Sequence, residues 1–75
     1  MNNTATPTNT KTLTSKAIKV GMTLIDADGF TYEVTAKYTE RSDGQNYTVL
    51  EYRCTFTSET FRSSFTSNRS MAVAA

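Results

Sequence analysis

The sequence predicts an all-β fold, in the form of a small antiparallel barrel or a rolled β-meander. Asp-Gly pairs at Asp28–Gly29 and Asp43–Gly44 mark two tight turns, because glycine accepts a positive φ without a Cβ clash. The stretches beside these turns alternate apolar and polar residues with a period of two, which is typical of half-buried strands. Two hairpins at such short spacing favour a meander that curls on itself.

The predicted strands cover Met22–Ala27, Phe30–Glu40, Asn46–Thr57 and Thr60–Thr66. Gly21 marks a bend before the first of them. The fourth segment also fits a short helix capped by Ser58, but good helix formers are scarce there, so we favour a strand. Residues 71–74 either add a short closing strand or fray.

Strand periodicity also predicts which side chains are buried. Over residues 30–40 and 46–57, the apolar residues fall mainly on one face, with Tyr47 and Val49 as exceptions on the other. The predicted core comprises Ile18, Val20, Leu24, Ile25, Phe30, Tyr32, Val34, Tyr38, Tyr47, Val49, Leu50, Tyr52, Phe56, Phe61 and Phe65. Cys54 lies in phase with the inward positions, and we expect a buried structural thiol.

The chain divides into a predicted disordered tail over residues 1–15 and one small β-barrel domain over residues 16–75. The tail is rich in Asn and Thr and has almost no apolar residue, so burial cannot offset its chain entropy. We therefore expect the tail to be dispensable for folding.

The composition argues against catalysis and against a bound cofactor or metal. The chain has no histidine, one cysteine and three glycines at turns, so it offers neither a common general base, nor a metal-ligand cluster, nor a phosphate-binding loop. Asp26 and Asp28 are interpreted as turn residues. The chain has no apolar leader and no stretch long enough to span a membrane, and we expect a cytoplasmic location.

Charge is distributed unevenly although the net charge is only +1. Residues 1–25 carry three lysines and no acid, residues 26–51 are acidic, and residues 52–75 are basic again. Either these charges neutralise one another across strands, or they form a bipolar surface that steers a charged partner.

Candidate binding residues combine aromatic and basic side chains, the pattern of surfaces that stack bases and contact phosphates. They are Tyr47, Arg53, Lys37, Arg41, Arg62 and Arg69. The alternative is core packing for the aromatic residues and a solvated, aggregation-resistant edge strand around Arg62 and Arg69.

Residues 19–34, with Val20–Gly21 before the first strand and Asp28–Gly29 before the second, resemble the opening of SH3-like barrels. The general character of the chain resembles small accessory proteins of bacteriophages and mobile elements. This second resemblance implies action on a host protein in the host cytoplasm.

We expect a non-catalytic binding module. A protein partner is the first hypothesis, because no catalytic set, cofactor motif or strong basic patch is present and an open sheet edge can pair with a partner strand. A small nucleic-acid-binding barrel is the alternative. The oligomeric state and the target are left open by the sequence.

Overall fold

The computed structural model describes residues 10–75, which form a six-stranded antiparallel sheet curled into a small barrel. The strands, numbered in chain order, are β1 (Thr10–Thr14), β2 (Thr23–Ile25), β3 (Thr31–Ser42), β4 (Gln45–Cys54), β5 (Thr60–Thr66) and β6 (Ser70–Ala74). Their order in the sheet is β1-β6-β2-β3-β4-β5. The all-β prediction is confirmed, and so is the choice of strand for residues 60–66. Of the two alternatives for residues 71–74, the structure contains the closing strand. Among the described residues, no helix has the length and apolarity needed to cross a membrane.

The two ends of this strand order meet through a short 3₁₀ turn over Ser15–Ala17, which follows β1. The Ser15 backbone N–H donates to the Arg69 carbonyl at 2.8 Å, and the Ser15 hydroxyl donates to the Thr66 carbonyl at 2.6 Å. The Lys16 N–H donates to the Ser67 carbonyl at 3.3 Å. Ser15 is fully buried, and its polar atoms are satisfied by these bonds.

The predicted tail, residues 1–15, extends too far along the chain, because residues 10–15 belong to the barrel. β1 pairs with β6 over its whole length, from Thr10 opposite Ala74 to Thr14 opposite Ser70. Leu13 lies opposite Met71 and packs against the core. This strand is poor in apolar residues because only one of its faces touches the core, so composition alone did not reveal it. The part of the predicted tail before Thr10 lies outside the described residues.

The core is smaller and more aliphatic than predicted. Its buried centre consists of Ile18, Leu24, Val34, Leu50 and Val73. Cys54 is buried as predicted. Five residues of the predicted core are instead exposed: Val20, Phe30, Tyr38, Phe56 and Phe61. Phe30 and Phe56 lie outside β3 and β4 because both strands are shorter at that end than the alternation suggested.

A β-bulge explains why Tyr38 is exposed. Val34 pairs with Tyr52, but Ala36 pairs with Glu51, so Thr35 has no partner of its own in the ladder. Paired side chains share a face, and the extra residue therefore exchanges the faces of everything that follows it. Lys37 then falls on the inner face opposite Leu50. Tyr38 falls on the outer face, opposite Val49.

The predicted turns are confirmed. Gly29 and Gly44 adopt φ values of +87° and +76°, the region that L side chains rarely enter. In the first turn the Asp26 carboxylate accepts backbone N–H bonds from Asp28 at 2.9 Å and from Phe30 at 3.0 Å. These bonds fix the direction in which β3 leaves the turn.

Candidate functional site

Three of the predicted binding residues, Tyr47, Arg53 and Arg62, lie on the outer face of the β3–β4–β5 sheet. The charges of the two arginines are already compensated. The Arg53 guanidinium lies 3.1 Å from Glu33, and that of Arg62 lies 3.7 Å from Glu40 and 5.7 Å from the centre of the Tyr38 ring. This face therefore resembles the predicted case of neutralisation across strands more than a phosphate-binding surface.

The other three predicted residues lie at one end of the barrel. The Lys37 Nζ donates to the Lys16 carbonyl at 2.6 Å. The Arg41 guanidinium donates to the Asn46 side chain at 3.3 Å. Asn46 is in turn joined to the β5–β6 turn, because the Ser67 hydroxyl donates to its carbonyl at 3.2 Å.

We call this region the basic end and define it by Lys16, Lys37, Arg41 and Arg69. Within residues 10–75, both ion pairs form elsewhere, so these four cations face no carboxylate within salt-bridge distance. One acidic residue near these cations, Asp43 at the tip of the β3–β4 hairpin, also forms no ion pair within residues 10–75. The local charge is therefore clearly positive although the molecule is almost neutral.

An open groove of about 450 Å³ runs across the inner face of the sheet, between β5 and β6. We call it the aromatic groove. Its lining residues are Leu24, Ile25, Asp26, Tyr32, Tyr52, Phe61, Phe65, Arg69, Ser70, Met71 and Ala72. The groove joins the basic end because the Arg69 guanidinium lies 5.8 Å from the centre of the Phe65 ring.

One wall of the groove is formed by three aromatic rings in mutual contact. Tyr52 and Phe61 are stacked, with centroids 5.7 Å apart and planes inclined by 25°. Tyr32 meets both of them edge-on, at 5.4 Å from Tyr52 and 5.9 Å from Phe61. The Tyr52 hydroxyl is held by Ser63 at 2.8 Å. These contacts keep the rings in place, so the wall is a preorganised apolar surface.

The far end of the groove is set by a hydrogen bond from the Tyr32 hydroxyl to the Asp26 carboxylate, at 2.9 Å. Desolvation by itself would raise the pKa of Asp26. The bonds donated by Tyr32, Phe30, Asp28 and Gly29 outweigh it, so the pKa of this carboxyl lies below its ordinary value. The same bond to Asp26 raises the pKa of Tyr32 to about 12. At neutral pH the pair is therefore an anionic carboxylate held by a protonated phenol.

The end of the barrel opposite the basic end is acidic. It consists of the β2–β3 turn and the β4–β5 loop, which are joined by a 3.0 Å bond from the Thr55 N–H to the Thr31 carbonyl. Asp26, Asp28 and Glu59 lie there. Charge is thus separated along the axis of the barrel, although not by the segments considered from the sequence, because Lys37 and Arg41 of the basic end belong to the acidic segment 26–51.

Sequence reasoning missed two components of the site. Lys16 was assigned to the domain but not to the site, since nothing local predicts that the 3₁₀ turn packs against the β5–β6 turn. Tyr32, Tyr52, Phe61 and Phe65 were assigned to the core, and the structure places them on the inner face as predicted, but along an open groove. The clustering of these aromatic residues on one face could be predicted from the sequence. The gap between β5 and β6, which opens the groove, could not, because no local sequence pattern marks it.

No cluster of possible metal ligands occurs in residues 10–75. Cys54 is buried, and a hydrogen bond from the Thr57 hydroxyl contributes most to lowering the pKa of its thiol.

No family model matches the chain, and no curated protein sequence matches it. Among solved structures, the chain is similar to a translation initiation factor eif-5a family protein from Naegleria fowleri, with a TM-score of 0.74 and 16% sequence identity. The match covers 91% of this chain and 49% of that protein. At this identity the likeness establishes the fold, a small antiparallel β-barrel, and the chain spans about half of the similar protein. It lends no support to the resemblance to bacteriophage proteins.

Proposed function

We propose that the protein is a non-catalytic binding domain for single-stranded RNA. In this proposal the basic end binds the phosphate backbone, and the aromatic groove takes one or two bases. The observation that carries it is the convergence of four cations without carboxylate partners, within the described residues, at the basic end. The aromatic groove begins there with Phe65 beside Arg69 and continues to the ring wall of Tyr32, Tyr52 and Phe61. Cation-lined surfaces with stacking platforms are the common solution for single-stranded nucleic acids.

Two further observations support RNA over the protein partner that the sequence favoured. The fold neighbour is by name a translation initiation factor, and translation acts on RNA. The low net charge, which argued against nucleic acid, is explained by the separation of the charges along the barrel axis. The affinity for a nucleic acid depends on how many cations can contact phosphates at the same time, and not on the net charge of the whole protein.

The test is fluorescence anisotropy with a labelled single-stranded RNA of mixed sequence, roughly 12 nucleotides long, which is comparable to the site of one small barrel. The variant of interest is Lys16→Ala/Arg69→Ala, since both side chains are exposed. The matched control is Arg53→Ala/Arg62→Ala, which removes the same charge from the outer face. We expect the first variant to weaken binding by about tenfold and to reduce the salt dependence by about one to two phosphate contacts, and the control to change affinity by less than about threefold.

Phe61→Leu separates stacking from charge. It removes the exposed ring of the groove but keeps an apolar side chain, so we expect weaker binding with an unchanged salt dependence. Equal losses in the two charge variants, or no binding at about 50 mM salt, would contradict the proposal, because weakly screened phosphate contacts are strongest there.

A further inference from the structure

Two phenylalanine side chains stand exposed at the acidic end, on the side of the molecule away from the basic end. Phe30, in the β2–β3 turn, is 40% exposed, and Phe56, in the β4–β5 loop, is 66% exposed. Their rings meet edge to face with centroids 5.3 Å apart. Neither ring contributes to the buried core or lines the aromatic groove, so the stability of the barrel does not explain the pair.

The pair is held on a braced platform. The Thr31 and Thr55 hydroxyls lie 2.6 Å apart, and each residue directly neighbours one of the phenylalanines. The Phe30 backbone is fixed on both sides, because its N–H donates to Asp26 Oδ1 at 3.0 Å and its carbonyl accepts from the Asp26 N–H at 3.0 Å. The β4–β5 loop is closed by bonds from the Cys54 N–H to the Glu59 carbonyl, at 2.8 Å, and from the Ser58 N–H to the Cys54 carbonyl, at 2.9 Å. A preorganised apolar surface loses little entropy on binding.

Three acidic residues lie in the same two loops as the rings: Asp26 and Asp28 in the β2–β3 turn, and Glu59 in the β4–β5 loop. Asp28 and Glu59 form no ion pair within residues 10–75, and Asp26 carries a negative charge at neutral pH. The nearest described cation on this end of β4, Arg53, is already engaged by Glu33. An apolar centre with a negatively charged rim is complementary to a partner surface that has an apolar centre and a positively charged rim.

We propose that Phe30 and Phe56, with the rim of Asp26, Asp28 and Glu59, form a docking surface for a protein segment with apolar side chains flanked by lysine or arginine. The expected ligand is a basic peptide and not a nucleic acid, because the acidic side chains of the rim would repel phosphate groups. The docking surface borders the aromatic groove at Asp26, but its two rings lie outside the groove, and the proposal does not depend on RNA binding. Together the two ends would connect an RNA to a basic protein.

The test is an NMR titration of the ¹⁵N-labelled full chain with a synthetic peptide that has two leucines between pairs of lysines. One control peptide replaces the lysines by glutamates, and a second replaces the leucines by serines. We expect the lysine–leucine peptide to shift the amides of Phe30, Thr31, Thr55 and Phe56, and both control peptides to bind at least about fivefold more weakly.

The decisive variant is Phe56→Ser, and its matched control is Val20→Ser, which removes another exposed apolar side chain, 59% exposed, from a different region. We expect only Phe56→Ser to weaken the peptide titration, while its RNA affinity stays at the wild-type value. An unchanged titration in Phe56→Ser would overturn the proposal, and so would equal binding of the acidic peptide. Shifts of the same amides on raising the protein concentration without peptide would assign the surface to a second copy of the chain instead.

Discussion

Single residues at the tips of the hairpins hold conformations that few side chains accept. At the β3–β4 turn, Asp43 and Gly44 both have positive φ, at +51° and +76°. Two consecutive residues of this kind make the turn whose twist matches a two-residue hairpin. The turn therefore sets the register of the longest hairpin in the described chain, and that register aligns Arg41 with Asn46 at the basic end.

We predict that Gly44→Val destabilises the domain by about 1–3 kcal/mol, because a β-branched residue is strained at this φ. A Cβ added at Gly44 would meet no atom within 4 Å, so the loss is one of backbone conformation and not of space. The matched control is Gly44→Asn, which tolerates the left-handed region and should lose less than about 1 kcal/mol. Urea unfolding measures both variants; equal losses would show that φ is not the cause.

Among the elements, β1 is a strand with a weak sequence pattern that forms because it pairs with β6. Most of its residues are threonine, which suits a strand, and its single large apolar side chain, Leu13, packs against the core. β6 lies between β1 and β2 and carries the buried Val73. β1 thus pairs with one edge of β6, the strand that contributes Val73 to the core.

We predict that Leu13→Ala lowers the free energy of unfolding by about 1–2 kcal/mol, less than a fully buried leucine because the side chain is only half-buried. Thr12→Ala is the control on the same strand, since Thr12 is exposed, and it should change stability by less than about 0.5 kcal/mol. Thermal unfolding of the full chain checks both values. If Leu13→Ala behaves like Thr12→Ala, β1 does not stabilise the barrel.

The bulge after Val34 is the element-level feature with the largest consequence for the site. It moves Lys37 from the predicted solvent face to the inner face, from which its ammonium reaches the Lys16 carbonyl. It also moves Tyr38 outward, where Arg62 lies over the ring. One additional residue in β3 therefore decides which cation joins the basic end and which stays on the outer face.

At the scale of the whole molecule, the separation of charge is more informative than its sum. β4 runs from the basic end to the acidic end over ten residues, which corresponds to roughly 30 Å at the usual strand rise. This distance exceeds the screening length of about 8 Å at physiological salt several times. Charges on the two hairpin ends of β4 are therefore screened from each other, and the aromatic groove, which both Asp26 and Arg69 line, is the feature that connects the two ends.

We predict that the two proposed binding activities can be removed separately. Lys16→Ala/Arg69→Ala should weaken RNA binding and leave the titration with the lysine–leucine peptide unchanged, whereas Phe56→Ser should have the reverse effect. Anisotropy and NMR on the same protein preparations measure both. Loss of both activities in either variant, with folding intact by circular dichroism, would show that the ends are coupled.

Much of the fold was predictable because its signals are local. Alternation over residues 30–40, the two Asp-Gly turns and the phase of Cys54 with Leu50 depend on neighbours a few residues apart. The limits of prediction appear at Thr35, where a bulge reverses the phase, and at Phe30 and Phe56, where the strands end before the alternation does. Neither event changes the local composition.

The sequence by itself determined an all-β fold with tight turns, because side-chain periodicity and glycine conformation are properties of short segments. Only the tertiary structure decided which of the six candidate residues lie close together. On the outer face, Arg53 and Arg62 form ion pairs with Glu33 and Glu40. Lys37, Arg41 and Arg69 lie at one end of the barrel beside Lys16. The physical reason is that this end is assembled by contacts between distant segments, such as the Ser15 hydroxyl bond to Thr66 across 51 positions, which no local pattern encodes.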